Sequence, residues 1–179
     1  MPLPSQDQQK AIVAAHNAYR GDPAIHAPDL QWDDKLAADA QKWADNLATT
    51  VHTLKHSDQS KTKLGENIAA AGRLPSSPPT NPADMVDQWG KTPGMNPDGT
   101  SKPSEQQNFK PGTFPDISKT GDWHDAGHYS QVIWGDTANI ACGFATDSTP
   151  DAGGFIWDYL VCRYSPGGNV SGVQVPKPA

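Results

Sequence analysis

The first half of the chain carries apolar residues at the spacing of an α-helix. Within residues 33–54 they recur three and four positions apart, at Leu36, Ala40, Trp43, Leu47, Val51 and Leu54. This spacing places one apolar stripe on a helix, so we predict a helix over 33–54. A helix is also predicted over 6–19. A short one is predicted between Asn81 and Gly90, because Pro82 suits a first helical position and Gly90 suits the exit.

The pattern changes in the last third of the chain. Residues 129–134, 138–145 and 155–164 are rich in β-branched and aromatic side chains, which predicts three strands. A turn-forming segment at 147–154 separates the last two, which indicates an antiparallel hairpin. Helices first and strands later are typical of an α+β fold. Residues 73–80 and 91–126 fit neither pattern, and we expect the second segment to be functional, mobile or to contain unrecognised elements.

Composition limits the class of protein. A chain of 179 residues is long enough for one domain, which we place at residues 1–179. The formal net charge is −6 and lysine and arginine form no large cluster, so we expect no nucleic-acid partner. No stretch approaches about 18 apolar residues, so no transmembrane segment is predicted. The first residues lack the charged and apolar regions of a secretion signal, which indicates either synthesis without a signal or its earlier removal.

Histidines are the first candidates for chemistry. Six are present, and a lone histidine is most often a structural or surface residue. His56 and His128, with Glu66 as a nearby carboxylate, could bind a borderline divalent metal such as zinc, copper or cobalt. The chain contains no His-Glu-x-x-His and no Cys-x-x-Cys, so a tight structural zinc site is excluded.

Ser130 is the candidate nucleophile. It lies two residues after His128, and side chains two apart on a strand point to the same face. A Ser–His dyad is one interpretation, and an ordinary polar strand residue is the favoured one. The chain has no Gly-x-Ser-x-Gly elbow.

The two cysteines are Cys142 and Cys162, which allow one disulfide or none. Both lie on predicted strand faces. This placement suits a buried cross-strand pair better than a reactive thiol.

One loop combines aromatic residues with proline and glycine. Phe109 and Phe114 flank Pro111 and Gly112 in an otherwise polar segment. The two rings would either dock an apolar ligand or attach the loop to the protein body, and the second outcome is the commoner one for loop aromatics.

Two long segments resemble family signatures. Residues 127–137 read GHYSQVIWGDT and residues 159–170 read YLVCRYSPGGNV. They resemble the two signatures of the CAP superfamily, which groups cysteine-rich secretory, antigen-5 and pathogenesis-related class-one proteins. Residues 16–20, 30–37, 56–57 and 65–69 are similar to earlier motifs of the family. The resemblance covers about residues 9–172.

The resemblance implies a three-layer α-β-α sandwich around a central antiparallel sheet. It also implies a cleft with two histidines and two acidic residues, which match His56, Glu66 and His128 here. The fourth position is either Thr92 by spacing or Glu105 after an insertion, and the residues that follow Glu105 favour it. The imidazoles would be ligands of zinc or another divalent metal, and the carboxylates would orient them. Protonation of the imidazoles below about pH 6 should release the metal.

The resemblance further implies ligands and location. Some members bind sterols through a loop similar to the one containing Phe109, Pro111, Gly112 and Phe114, and others bind fatty acids in a groove between helices. The family is mostly extracellular, so we expect a secreted protein with a Cys142–Cys162 disulfide. A bond closing about 20 residues should stabilise the fold by roughly 3 kcal/mol.

These expectations lead to one function and two alternatives. We expect a secreted sterol- or lipid-binding protein with a metal-capable cleft, acting in defence or host–microbe contact, rather than an enzyme. The first alternative is a metal-dependent hydrolase or protease that uses His128, Glu66 and Ser130. The second is a domain that binds a peptide or receptor. The sequon at Asn169 is expected to stay unmodified, because it lies inside the second signature.

Overall fold

The computed structural model describes residues 1–60, 62–96 and 98–177. Pro97, within the segment 91–126, and the last two residues of the predicted 1–179 domain lie outside the described residues. The prediction of one domain stays a prediction. No helix in the described part of the chain is long and apolar enough to cross a membrane.

The described residues form five α-helices and eight strands. The α-helices are α1 (Gln6–Arg20), α2 (Asp34–Asn46), α3 (Pro82–Met85), α4 (Glu105–Asn108) and α5 (Gly127–Val132). A π-helical turn, Leu47–Val51, extends α2, and 3-10 turns lie at Val86–Trp89 and Trp123–Asp125. The strands are β1 (Gln31–Trp32), β2 (Gly65–Arg73), β3 (Gly94–Met95), β4 (Ser101–Lys102), β5 (Gly112–Thr113), β6 (Asn139–Asp147), β7 (Ile156–Ser165) and β8 (Gln174–Val175).

The main sheet has the strand order β1-β6-β7-β2. The predicted hairpin is confirmed as β6 and β7, which pair antiparallel with Cys142 opposite Cys162. These two cysteines form a disulfide, with their Cα atoms 4.1 Å apart. Strand β2 pairs antiparallel with β7, whereas the two-residue β1 pairs parallel with β6. The sheet is therefore antiparallel except at one short edge.

Side chains of the sheet alternate between two apolar clusters. Cys142, Leu160 and Cys162 pack with Ile12 of α1 on one face. Val161, which lies between Leu160 and Cys162 on β7, and Tyr159 pack on the other face with the following buried residues of α2 and its extension: Ala44, Leu47 and Ala48. Because successive strand residues point to opposite faces, the sheet is covered by helices on both sides. The three-layer α-β-α sandwich is confirmed.

One helix end and one predicted strand differ from the prediction. The α-helical part of the predicted 33–54 helix ends at Asn46. The π-turn that follows ends at Val51, and its C-cap residue His52 has φ 56°. The predicted strand over 129–134 is wrong, because the chain there forms α5. Tyr129 and Val132 are buried in the core as apolar residues of a short helix. A buried run of this length does not distinguish strand from helix by composition alone.

The longer of the two unassigned segments contains short elements. Residues 91–126 hold the β3–β4 hairpin, α4, β5 and a 3-10 turn. Helix α4 begins with a capping box between Ser104 and Gln107. Strand β2 was not predicted, since its run of alanines lacks the β-branched residues that mark the other strands.

Candidate functional site

A cavity of about 190 Å³ lies at one end of the main sheet. It opens between the loop after α2, strand β2 and the start of α5. Its lining residues come from these elements, from the 3-10 turn Trp123–Asp125 and from residues 166–170 after β7, which we call the signature loop: His56, Glu66, Asn67, Trp123, His124, Gly127, His128 and Asn169. The cavity thus brings His56, Glu66 and His128 together, although they are far apart in the sequence.

His56 is oriented by the carboxylate of Glu66. Its Nδ1 lies 2.6 Å from Glu66 Oε1, which also accepts from the backbone N–H of Ser57 at 3.0 Å. The Ser57 hydroxyl donates to Glu66 Oε2 at 2.8 Å. The His56 side chain is 56% exposed and that of Glu66 only 2%. A buried carboxylate therefore holds a solvent-facing imidazole.

Glu66 is kept ionised by its surroundings. Burial raises the pKa of this carboxyl, but the hydrogen bonds from His56 and Ser57 and the charge of Arg163 together lower it below its usual value. Arg163 lies opposite Glu66 in the β2–β7 register and donates Nη1–H to Oε2. The charged form of Glu66 is the one that orients the Nδ1–H of His56.

Glu105 plays the same part for His128. Its Oε1 lies 2.6 Å from His128 Nδ1. Its Oε2 accepts from the backbone N–H groups of His128 and Tyr129 at 2.8 and 2.9 Å. These N–H groups open α5, so the carboxylate satisfies free donors at the start of the helix and fixes the ring. Of the two candidates for the fourth position, the structure brings Glu105 to His128, while the Thr92 N–H bonds to the Asp87 carbonyl.

The two imidazoles face each other across the cavity. The ring centroids of His56 and His128 lie 6.3 Å apart and their planes differ by 18°. With Nδ1 bonded to a carboxylate, each ring presents Nε2, which has no hydrogen-bond partner among the described residues. Across residues 1–60, 62–96 and 98–177, no three His, Cys, Asp or Glu side chains are already placed to share a metal ion.

The geometric premise of the Ser130 dyad is wrong. His128 and Ser130 lie on α5, and residues two apart on a helix do not face each other. The Ser130 side chain is fully buried, and its hydroxyl lies 2.9 Å from the Gly127 carbonyl and 2.5 Å from Asn169 Oδ1. Its hydrogen bonds anchor the signature loop to α5.

The two loop phenylalanines point into the core. Phe109 and Phe114 are each 8% exposed. Phe109 packs edge-on against Tyr129 at 5.3 Å, and Phe114 packs edge-on against Trp123 at 5.3 Å and Trp134 at 6.3 Å. In this structure the two rings attach the loop to the protein body. Of the two outcomes considered from the sequence, this is the one that is commoner for loop aromatics.

Sequence reasoning missed three contributors to the site. Arg163 pairs with Glu66 from another strand, and nothing in the sequence relates the two residues. Asn67 donates to the His128 carbonyl and the Tyr164 hydroxyl. His124 lines the same cavity, and an aspartate two residues before it was a local signal that could have identified it.

Comparison with known proteins adds a family. A model described as the cysteine-rich secretory protein family, CAP, matches residues 13–164. Venom allergen 3 of Solenopsis invicta is 32% identical over 183 residues, which cover 94% of this chain and 71% of that protein. Venom allergen 5 of Brachyponera chinensis is 29% identical over 180 residues, which cover 97% and 80%. The crystal structure of NaASP2 with Zn2+ matches with a TM-score of 0.63 at 21% identity, over 98% of this chain and 87% of that one, which shows a shared fold.

Proposed function

Because the chain belongs to the CAP family of cysteine-rich secretory proteins, we propose that it is an extracellular protein that binds a divalent transition-metal ion, zinc above all, between His56 and His128. The observation that carries the proposal is the common arrangement of the two imidazoles. His56 directs its Nδ1 to Glu66, and His128 directs its Nδ1 to Glu105. Each ring therefore presents the lone pair of its Nε2. Metal-binding histidines in proteins are oriented in this way.

The residues fit a two-nitrogen site completed by water. With Zn–N bonds of about 2.0–2.1 Å and the tetrahedral angle that zinc prefers, one ion between two imidazoles places the ring centroids roughly 5 Å apart. The observed 6.3 Å between His56 and His128 is wider than this, so the exposed His56 ring would have to turn toward His128 when the ion binds. Imidazole nitrogen suits zinc, copper and nickel better than magnesium or calcium. The NaASP2 crystal structure contains Zn2+ by name, which supports zinc as the first metal to test.

The chain's own groups would hold and orient such an ion. Glu66 and Glu105 fix the tautomer of each ring, and the buried partners of these carboxylates prevent them from turning toward the metal. The ion itself would supply a Lewis-acidic centre with open positions for a ligand. The cavity above it is solvent-accessible and large enough for a few waters or a small anion.

Secretion is supported by the disulfide as well as the family. Cys142 and Cys162 are both fully buried and bonded, and disulfides persist in oxidising compartments. Two of the relatives are venom allergens by name. Defence or contact between organisms is therefore the setting we propose.

Lipid binding is the second candidate function, and the loop of residues 108–115 is the place where it would occur. A sterol there would have to displace Phe109 and Phe114 from the core, because each ring is 8% exposed. A well-buried aromatic side chain is stabilised by about 1.5–3 kcal/mol through burial alone. Sterol binding thus requires the ligand to replace the contacts that the rings already make.

The groove between α1 and α3 is a poor site for a fatty acid. Its volume is about 380 Å³. Three aspartates line it, Asp22, Asp84 and Asp87, and the lysine there, Lys91, is paired with Asp87 at 2.9 Å. The remaining negative charge would repel the carboxylate of a fatty acid.

Zinc titration by calorimetry tests the proposal. The wild-type protein should bind one ion, and His56→Ala or His128→Ala should weaken binding at least tenfold. His52→Ala is the matched control, since His52 also pairs with a carboxylate, Asp147, but does not line the cavity. Unchanged zinc affinity in both cavity variants would remove the two-imidazole site.

A further inference from the structure

A groove of about 590 Å³ lies between α1 and the edge strand β1. Lys10, Val13 and Ala14 line it from the helix, and Gln31 and Trp32 line it from the strand. It shares no lining residue with the cavity of the proposed metal site. We propose that this groove binds an extended peptide of a partner protein, which adds as a strand to β1 beside Trp32. This inference goes beyond the proposed function and does not depend on the metal.

The backbone of Trp32 lies on the open edge of the main sheet. Gln31 N–H donates to the Ala138 carbonyl at 3.0 Å, and Asp33 N–H donates to the Ile140 carbonyl at 2.9 Å. Successive backbone groups of a strand alternate in direction, so the N–H and C=O of Trp32 point away from β6. Neither group forms a backbone hydrogen bond with the residues that the structure describes. Trp32 therefore offers one donor and one acceptor to a further strand.

The side-chain amide of Asn17 already pairs with this edge two residues earlier. Its Oδ1 accepts from the Leu30 N–H at 2.8 Å, and its Nδ2 donates to the Leu30 carbonyl at 3.2 Å. Asn17 thus makes the two bonds that a peptide group of a neighbouring strand would make. Because backbone groups two residues apart point to the same side, Trp32 presents its groups on the side where Asn17 lies. Asn17 lines the groove, so the next donor and acceptor along the edge open into it.

An extended peptide matches the shape and the hydrogen-bonding groups of the groove. One residue of an added strand supplies both the acceptor and the donor that the Trp32 backbone requires. Val13 and Ala14 give the opposite wall small apolar side chains, which leave room for the side chains of the peptide. The volume of the groove lies within the range of about 300–1,000 Å³ that is usual for ligand sites.

The charged groups of the groove favour an acidic peptide. Lys10 is exposed and belongs to none of the ion pairs between described residues. Asp34, which also lines the groove, already accepts from the indole N–H of Trp32 at 3.0 Å. The ammonium group of Lys10 is therefore available to attract a carboxylate of the peptide.

Selected peptides and variants of the groove test the proposal. Panning a phage-displayed library of random heptapeptides on the full chain supplies the probes, and fluorescence anisotropy measures their affinity. Ala14→Trp fills the groove from an exposed position of α1 and should weaken binding at least tenfold. Ala18→Trp is the matched control, because Ala18 is also exposed on α1 but does not line the groove. Lys10→Ala should weaken acidic peptides by up to about fivefold, the size expected for an exposed ion pair.

Pairing through the backbone has a readout of its own. Methylation of one peptide nitrogen at a time should weaken binding at alternate positions of the heptapeptide, because only every second N–H of an added strand faces β1. The amide proton of Trp32 should exchange more slowly with solvent when the peptide is bound, as measured by NMR.

The outcomes decide between a peptide and other occupants of the groove. Loss of binding in Ala14→Trp but not in Ala18→Trp, together with the alternating methylation pattern, supports strand addition at Trp32. Equal affinity for Ala14→Trp and the wild type, or a library from which no sequence is enriched, would overturn the proposal. Methylation effects without alternation would exclude strand addition. Binding on a glycan array that Ala14→Trp abolishes, without enrichment of any peptide, would assign the groove to a carbohydrate instead.

Discussion

Glu66 and Arg163 form an ion pair in which each side chain is only 2% exposed. The two residues lie opposite each other on β2 and β7. Arg163 also donates Nε–H to Asp39 of α2 at 2.7 Å, so its guanidinium connects the sheet with the helix that covers it. The carboxylate that orients His56 is therefore fixed from behind by a buried charge.

Removal of Arg163 should leave Glu66 as a buried, unpaired charge. Loss of one partner of a buried pair costs about 3–5 kcal/mol, so Arg163→Met should lower the free energy of unfolding by that amount. The double variant Glu66→Gln/Arg163→Met should recover part of the loss, because no buried charge remains. Urea denaturation of the two variants and the wild type measures both effects.

An exposed pair provides the control for this experiment. Lys177 lies 2.6 Å from Asp136, with side-chain exposures of 59% and 48%. Exposed ion pairs contribute about 0–1 kcal/mol, so Lys177→Met should change stability little. A cost for Arg163→Met no larger than that for Lys177→Met would contradict the importance of the buried pair.

His16 should make the protein less stable in mild acid. It is fully buried in α1, with Nδ1 bonded to the Ile12 carbonyl and Nε2 to the Tyr164 hydroxyl. Burial lowers the pKa of His16 to about 4. The unfolded chain, with an ordinary pKa of about 6.5, then binds a proton that the folded protein does not, so stability is lost as pH falls from about 6.5 toward 4.

Unfolding at pH 7 and pH 5 measures this effect. Between these two pH values, the difference between the folded and the unfolded pKa of His16 lowers the free energy of unfolding by about 2 kcal/mol. His16→Gln should be less stable than the wild type at pH 7 but should lose about 2 kcal/mol less between the two pH values. Equal losses in variant and wild type would show that His16 does not carry the acid sensitivity.

The sequence predicted the elements whose signals are local. The β6–β7 hairpin follows from β-branched and aromatic residues on both sides of a polar turn, and the α2 stripe follows from spacing within one helix. Helix α5 could not be predicted in this way. Its first N–H groups are satisfied by Glu105, more than twenty residues earlier, so the helix depends on a cap that only the fold supplies.

The site shows the same division. His56, Glu66 and His128 could be selected from the sequence because motifs carry them. Arg163 could not be related to Glu66 before the β2–β7 register was known, since β2 itself lacks the usual composition of a strand. The inward direction of Phe109 and Phe114 likewise depends on aromatic partners from distant elements.

Truncation of a loop phenylalanine should lower the stability of the fold. Phe114→Ala removes a ring packed against Trp123 and Trp134, which should lower the free energy of unfolding by about 3–5 kcal/mol. Phe114→Leu keeps most of the apolar volume and should cost less.

Titration of labelled cholesterol against folded Phe114→Leu, Phe109→Leu and wild-type protein tests the lipid prediction. Saturable binding that is identical in all three would exclude the loop as the sterol site.

Asn169 should remain unglycosylated although it heads an Asn-Val-Ser sequon. Its Nδ2 donates to the Gly127 carbonyl at 2.8 Å, and its Oδ1 accepts from the Ser130 hydroxyl. A sugar on Nδ2 would remove one of its hydrogens and place bulk at the wall of the cavity. Asn169→Asp keeps the acceptor but loses the donor, and should cost about 1–3 kcal/mol because the Gly127 carbonyl loses a partner.

Intact mass of the protein secreted from a glycosylating eukaryotic host checks the prediction for Asn169. The expected mass is that of the polypeptide with one disulfide and no glycan. Ser171→Ala is the matched variant, since it removes the sequon and leaves Asn169 in place. Its mass should differ from the wild type by the single oxygen atom alone, and its stability should be unchanged. A larger mass difference, abolished by treatment with a glycosidase, would contradict the prediction. It would show that Asn169 is glycosylated before folding buries its side chain against Gly127.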